Sequence, residues 1–378
     1  MAVLTDEQSM LRDQAQAWTQ EKAPVSAFRK MRDGGAPLGY DPAVFSEMAE
    51  MGWAGVIIPE AYGGSEFGYL SLGLILEETG RTLAASPLLA SALAAASAII
   101  LGGSESQKQA WLPKIASGEV VATLAVDEGP RHAPERLALA AVKSGDGFVL
   151  NGEKTFVLEG GAAQLLVVAA RTSGKAGDTG GITLFLVPAD APGVTRTTLK
   201  LADSRGAADI QFKDVPVRAD AILGEAGKGW PLLEKTLDRA RAGLAAEMLG
   251  SANQAFDMTL DYLKTRVQFS QVIGGFQALQ HRASKMFGEL ELARSCVEAA
   301  LAAIDADAPD VAELASLAKG QMGETLFLVS NELIQMHGGI GMTDDHDAGL
   351  YLKRARATEA AFGGRAYHRD RFAQLNGF

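Results

Sequence analysis

The last third of the chain constrains the fold most. From Trp230 onward, apolar residues recur at helical spacing through "WPLLEKTLDRARAGLAAEMLGSANQAFDMTLDYLKTRVQF". The pattern returns in "FQALQHRASKMFGELELARSCVEAALAAI", closed by "DADAPD", and in "VAELASLAKGQMGETLFLVSNELIQMHGG". Helices this long, joined by short loops, bury their apolar stripes by packing antiparallel, so the spacing predicts a bundle. Asp310 with Glu313 three residues later predicts a capping box on the third helix. Gly338-Gly339 predicts its C-terminal stop.

The other two thirds divide at Val120. From Leu4 to about Gly118 the pattern is helical. "DEQSMLRDQAQAWTQEKAP" ends at Pro24, and "DPAVFSEMAEMGW" begins with Asp41 as N-cap and Pro42 in the first turn. From Val120 the texture is β-branched: "VVATLAVDE", "QLLVVAART", "GITLFLVPA" and "ADIQFKDVPV" read as strands. In "GFVLNGEKTFVLEG", two such runs flank Asn151-Gly152, which predicts a hairpin turn. The expectation is an α+β multidomain chain: an N-terminal α-helical domain over 1–118, a middle β-barrel or sandwich domain over 119–225 and a C-terminal four-helix bundle over 226–378.

Bulk chemistry narrows the class. A formal net charge of −11 over 378 residues argues against a general nucleic-acid binder, which needs clustered Lys and Arg. The single cysteine, Cys296, excludes an internal disulfide and suits a reducing compartment. "MAVLTDEQSMLRDQ" places charges where a secretory signal has its apolar segment. "TLAASPLLASALAAASAIILGGS" is long enough to span a bilayer, but its Ala, Ser and Pro87 fit a buried helix. The expectation is a cytoplasmic protein without membrane insertion.

Several spaced segments then point to one family. "GSESQKQAWLPKIASGE" (Gly103–Glu119), "LNGEKTFV", "FKDVPVRADAILGEAGKGW", "YLKTRVQFSQVIGGFQALQHRASKM" (Tyr262–Met286) and "QMHGGIGM" (Gln335–Met342) resemble, in this order, motifs of the acyl-CoA dehydrogenases. The resemblance runs over nearly the whole chain. It implies FAD as cofactor, an acyl-CoA thioester as substrate and an electron-accepting flavoprotein. It also implies α,β-desaturation, in which a carboxylate removes the α-proton while the β-hydrogen leaves as hydride to the flavin.

Carried onto this sequence, the resemblance assigns the diphosphate end of FAD to Arg266, Phe269, Gln277, Gln335, Gly338 and Gly339. Those types fit: guanidinium pairs with phosphate, and glycine lets backbone N–H groups approach an anion. Arg241 resembles the arginine that the family retains beside its substrate. His337 falls in the cofactor turn and reads either as a site residue or as a packed neutral histidine. Elsewhere the sequence departs from the pattern. "AVDEGPRHAPERL" stands where the family has its glycine-serine-aspartate loop, and Leu158 stands where a hydroxyl meets the flavin. At the usual position of the catalytic glutamate stand Phe362 and Gly363, and at the alternative position, Ala240. Fallback carboxylates are Glu247, about two turns beyond Ala240 on the same helix face, and Glu359, about one turn before Phe362. "DDHD" (Asp344–Asp347) is too compact to ligate one metal ion.

These features leave three readings. The first is a partner subunit, lacking its own base, that completes the FAD site of a related acyl-CoA dehydrogenase chain in a hetero-oligomer. The second is a self-sufficient homo-oligomeric dehydrogenase whose base is Glu247 or Glu359. The third is a flavin monooxygenase or non-redox scaffold on the same fold.

Overall fold

The computed structural model describes residues 4–378. These form two compact units, each drawn from separated stretches of chain. One takes the described residues up to Lys30, Gly73–Ala84 and Arg241–Phe378; the other takes Met31–Leu72 and Ala85–Ala240.

The second unit combines helices with the sheet. Its α3 (Pro42–Glu50) starts as the sequence predicts: the Asp41 carboxylate accepts from Ala43 N, with Pro42 in the first turn. The apolar run expected as a buried helix is a π-helical segment, Leu88–Ala95, continuing into α5 (Ala96–Gly102), with residues 88–99 all buried. Among the described residues, no helix is long and apolar enough to cross a membrane. Next, α6 (Glu105–Ala116) opens on a capping box between Ser104 and Gln107. The Gln107 amide also donates to Asp220 O and Ile222 O at 2.8 and 3.0 Å, fixing the helix to the end of the β region.

Eight strands form one mixed sheet: β1 (Ala122–Ala125), β2 (Ala140–Ser144), β3 (Gly147–Leu158), β4 (Leu165–Arg171), β5 (Ile182–Pro188), β6 (Val194–Thr198), β7 (Ala207–Val217) and β8 (Ile222–Leu223). Their order is β6-β7-β3-β2-β4-β5-β8, with β1 beside β4 and parallel to it. Every residue of β4 is buried, as its unbroken apolar run requires of a strand covered on both faces. The predicted hairpin turn is misplaced. Asn151 and Gly152 lie inside β3, and the turn is Gly145-Asp146, since Ser144 pairs with Gly147. Gly152 sits at a bulge with φ +141, where a Cβ would come within 3.0 Å of Leu139 Cα. The Asn151 amide exchanges hydrogen bonds with Asp214 of β7. The Asn-Gly signal therefore marks an irregular strand pairing.

The first unit is helical. It holds α1 (Asp6–Lys22), the second half of α4 (Gly68–Arg81), α7 (Trp230–Thr265) from Arg241 onward, α8 (Gln277–Asp305), α9 (Val311–His337), α10 (Ala348–Ala360) and α11 (Arg365–Leu375). The three long helices of the sequence reading are α7, α8 and α9. Ion pairs run between helices inside this unit: Arg81 to Asp257 at 2.6 Å and Arg294 to Glu77 at 3.1 Å. The capping box expected at Asp310 is absent. Its backbone (φ −98, ψ 12) is not extended, and its side chain makes no cap hydrogen bond. Thr5 does form such a box, with Gln8 at the start of α1.

Candidate cofactor and active site

The residues assigned to the diphosphate end lie at adjoining helix ends in the first unit. α7 runs out at Thr265, and a two-stranded hairpin follows, β9 (Val267–Gln268) with β10 (Gln271–Val272). Phe269 and Ser270 turn it with φ of +54 and +62. Phe269 is 85% exposed and meets Phe276 edge-on, with ring centroids 6.0 Å apart. At the other helix end, α9 stops at Gly338 (φ 62, ψ −137). Tyr262 near the end of α7 stacks on His337 at 4.2 Å, which holds these two ends together. His337 is buried, and its Nδ1 lies 2.8 Å from Leu333 O. Burial pulls its pKa down, opposed by the Leu333 hydrogen bond and helped by His346. A neutral, packed imidazole donating Nδ1–H to Leu333 O is the resulting description.

Arg266, Gln277 and Gln335 are all exposed on this surface, and so are Gly338 and Gly339. The Arg266 guanidinium makes no ion pair or hydrogen bond with the described residues. An added Cβ at Gly338 or Gly339 would meet nothing within 4 Å. Around them Val267, Val272, Ile340 and Met342 expose apolar side chains. A cation, two amides and an open glycine backbone are thus left for something outside the chain, which suits an anionic diphosphate.

The base position is built in the opposite way. The turn between α10 and α11 carries Phe362 at φ +55 and Gly363 at φ +103. A side chain at residue 363 would press against Tyr367, with Cβ 2.5 Å from Cδ1. Two buried cations converge on this turn. Lys319, 1% exposed on α9, donates to Glu359 O at 3.1 Å and Gly363 O at 3.0 Å. Arg241, fully buried on α7, donates to Phe362 O at 3.4 Å and to the Tyr367 hydroxyl at 2.9 Å. His368 Nε2 lies 3.1 Å from the same Phe362 O. Burial pushes the Lys319 amine down to about 7; nearby Glu359 opposes that shift and Arg241 adds to it.

Neither fallback carboxylate is idle. Glu247, 4% exposed, receives Arg354 Nε at 3.0 Å and Nη2 at 2.6 Å on one oxygen. Glu359 accepts the Arg365 backbone N–H at 3.1 Å, capping the start of α11, and lies 3.4 Å from the Arg365 side chain. Ala240 is fully buried and offers no polar atom.

In the second unit, the segment replacing the glycine-serine-aspartate loop closes on itself. His132 Nδ1 meets the Asp127 carboxylate at 2.9 Å. Glu128 accepts from Ala138 N and Leu139 N, and from the fully buried Lys154 at 2.6 Å. At the end of β3, Phe156 is left-handed and exposed while Val157 is buried. The Leu158 carbonyl accepts the Thr123 hydroxyl, and its side chain can donate nothing. The open polar groups at the ends of α7 and α9 fit an anionic diphosphate, and Leu158 offers no hydroxyl donor.

Inspection of the sequence missed Lys154 and Lys319. Lys319 was legible: it stands in the apolar stripe of α9, four residues after Ala315 and three before Met322, both fully buried.

Comparison with known proteins decides the family. The acyl-CoA dehydrogenase N-terminal, middle and C-terminal domain models match residues 5–119, 132–215 and 227–375. The probable acyl-CoA dehydrogenase YngJ of Bacillus subtilis is 32% identical over 367 residues, 95% of each chain. This chain belongs to the acyl-CoA dehydrogenase family. Butyryl-CoA dehydrogenase from Megasphaera elsdenii superposes with a TM-score of 0.92 at 27% identity, covering 100% of this chain and 99% of that one. The ChsE4-ChsE5 complex from Mycobacterium tuberculosis gives 0.88 at 25% identity, covering 100% of both chains. Acyl-CoA dehydrogenases are FAD-dependent oxidoreductases, and the expected three-part fold is the one found.

Proposed function

We propose that this chain is the partner subunit of a hetero-oligomeric acyl-CoA dehydrogenase. It completes an FAD site with a related chain and supplies no catalytic carboxylate of its own. One observation carries the reading: the turn at Phe362 and Gly363 holds no carboxylate side chain, and its carbonyls are taken up by Lys319 and Arg241. FAD, when bound, supplies the hydride-accepting chemistry; this chain supplies the charge and backbone donors of Arg266, Gln277, Gln335, Gly338 and Gly339. The exposed Val267, Phe269, Val272 and Met342 beside them support a second polypeptide as the cover for this surface. The ChsE4-ChsE5 complex offers a precedent for a chain of this fold within a complex.

A self-sufficient enzyme would need Glu247 or Glu359 to take a proton. Glu247 is already taken up by two hydrogen bonds from Arg354, and Glu359 by the backbone N–H that opens α11. The test is purification alone and with candidate partner chains encoded beside it. The proposal expects little or no FAD on the isolated chain. It expects FAD and acyl-CoA-dependent reduction of an electron-transferring flavoprotein only in the complex. Full turnover with stoichiometric FAD in the isolated chain would overturn it.

A further inference from the structure

α7 buries two arginines two residues apart, and only Arg241 is satisfied by its own protein. Arg239 is 7% exposed. Its one hydrogen bond goes from Nη1 to Lys235 O of its own helix at 3.0 Å. Its guanidinium lies over the Tyr69 ring, 5.3 Å from the centroid. Nε is buried without a hydrogen-bond partner, and no carboxylate of the described residues pairs with the group. Neither of the neighbouring carboxylates, Asp238 and Glu234, is free. An aromatic face offsets only a small part of the cost of burying an unpaired charge. With Nη1 occupied, the Nε–Nη2 edge is the unpaired side of the fork, the edge that receives a carboxylate in bidentate fashion. A further polar pair stands beside it: the Tyr69 hydroxyl is 3.0 Å from the hydroxyl of fully buried Ser97.

We infer that Arg239 is a specificity determinant that receives a carboxylate carried by the ligand, so that this chain binds acyl-CoA thioesters whose acyl chain ends in a carboxylate. The inference rests on the acyl-CoA reading of the preceding subsection, but not on where the catalytic base resides. Charge counting selects carboxylate over phosphate: one guanidinium neutralises one negative charge, whereas a phosphate dianion would leave a surplus at a nearly inaccessible point.

The test is calorimetric titration of the full chain, with its partner chain where one co-purifies. The ligands are succinyl-, glutaryl- and adipoyl-CoA, each against the monocarboxylic acyl-CoA of equal carbon number, and inorganic phosphate. At least one dicarboxylic thioester is expected to bind about tenfold or more tightly than its counterpart, the scale of one charged hydrogen-bonded pair. Arg239→Met should erase that preference and leave the monocarboxylic affinity unchanged; Arg239→Lys should retain part of it. The ligand-free Arg239→Met protein should melt no lower than wild type, because the side chain it loses is uncompensated. Equal affinity at every length, a preference that survives Arg239→Met, or a fall in its melting temperature would each overturn the inference. So would phosphate binding that vanishes in Arg239→Met. Binding of neither thioester class by the chain together with its partner would overturn the acyl-CoA reading and this inference with it.

Discussion

At the ends of α7 and α9, Arg266, Gln277 and Gln335 reach solvent beside open glycines. At the end of α10, the carbonyls of Glu359, Phe362 and Gly363 are all collected by side chains of the same unit. Both places carry family motifs, and both are turns after helices. The first leaves its hydrogen-bonding capacity open to solvent, and the second uses it in internal structure. A buried turn tends toward satisfaction from within, because buried polar groups without partners are costly. A site kept for an external anion shows the reverse, with polar groups that the chain itself leaves unmet.

The comparison can be broken most forcefully at Glu247. If its pairing with Arg354 is structural, Arg354→Leu should cost about 3 kcal/mol, since it strands a buried carboxylate. Arg354→Leu with Glu247→Leu should recover most of that loss, as measured by urea unfolding. A single variant as stable as wild type would return Glu247 to the list of available bases.

On the exposed side the expectation is the opposite. Arg266→Ala should leave the melting temperature of the isolated chain unchanged, because its guanidinium makes no hydrogen bond or ion pair with the described residues. It should weaken FAD retention in the complex by about tenfold or more. Loss of stability without loss of FAD would invert the comparison.

A smaller effect should come from pH. Burial raises the Glu78 carboxyl to about 7, with Glu77 adding and Arg81, Arg12 and Arg294 opposing. The folded chain then holds a proton that the unfolded chain has released. This contribution is fully present below the unfolded value of 4.5 and is lost as pH rises to about 7. Lys319, lowered to about 7, behaves in the other sense: its contribution is present above 10.5 and lost as pH falls toward 7. Melting temperatures should therefore show Glu78→Gln gaining on wild type between about pH 5 and about pH 7.5, the window of that titration. Lys319→Met should gain as pH falls from about 10 to about 7. Parallel wild-type and variant curves would show that neither group titrates in these windows.

The smallest contrast concerns two helix starts. Thr5→Ala should cost about 1 kcal/mol, and Asp310→Ala close to nothing, because only Thr5 caps its helix. Similar losses at both would restore the capping box at Asp310.

Much of this was legible in the sequence. The periodicity of α7, α8 and α9, the caps at Asp41 and Gly338, and the alternation between helical and β-branched segments fixed the element types, because burial stripes impose a spacing. The motif residues on the exposed side were legible for the same reason: their chemistry does not depend on neighbours within the chain. The hairpin at Asn151 was not legible, because Asn-Gly serves a bulge as readily as a turn, and the Asp214 contact that selects the bulge lies 63 residues away.

By itself, then, the sequence determined the order and kind of elements, the family, and the absence of a carboxylate at residues 240, 362 and 363. Tertiary structure alone decided what each remaining charge is doing. Glu247 and Arg354 are 107 residues apart and meet in a part-buried pair, Lys319 and Arg241 meet at one turn, and Arg239 is buried with no carboxylate partner among the described residues. Local propensity and periodicity are properties of neighbouring residues, whereas the fate of a charge depends on which distant groups folding brings beside it.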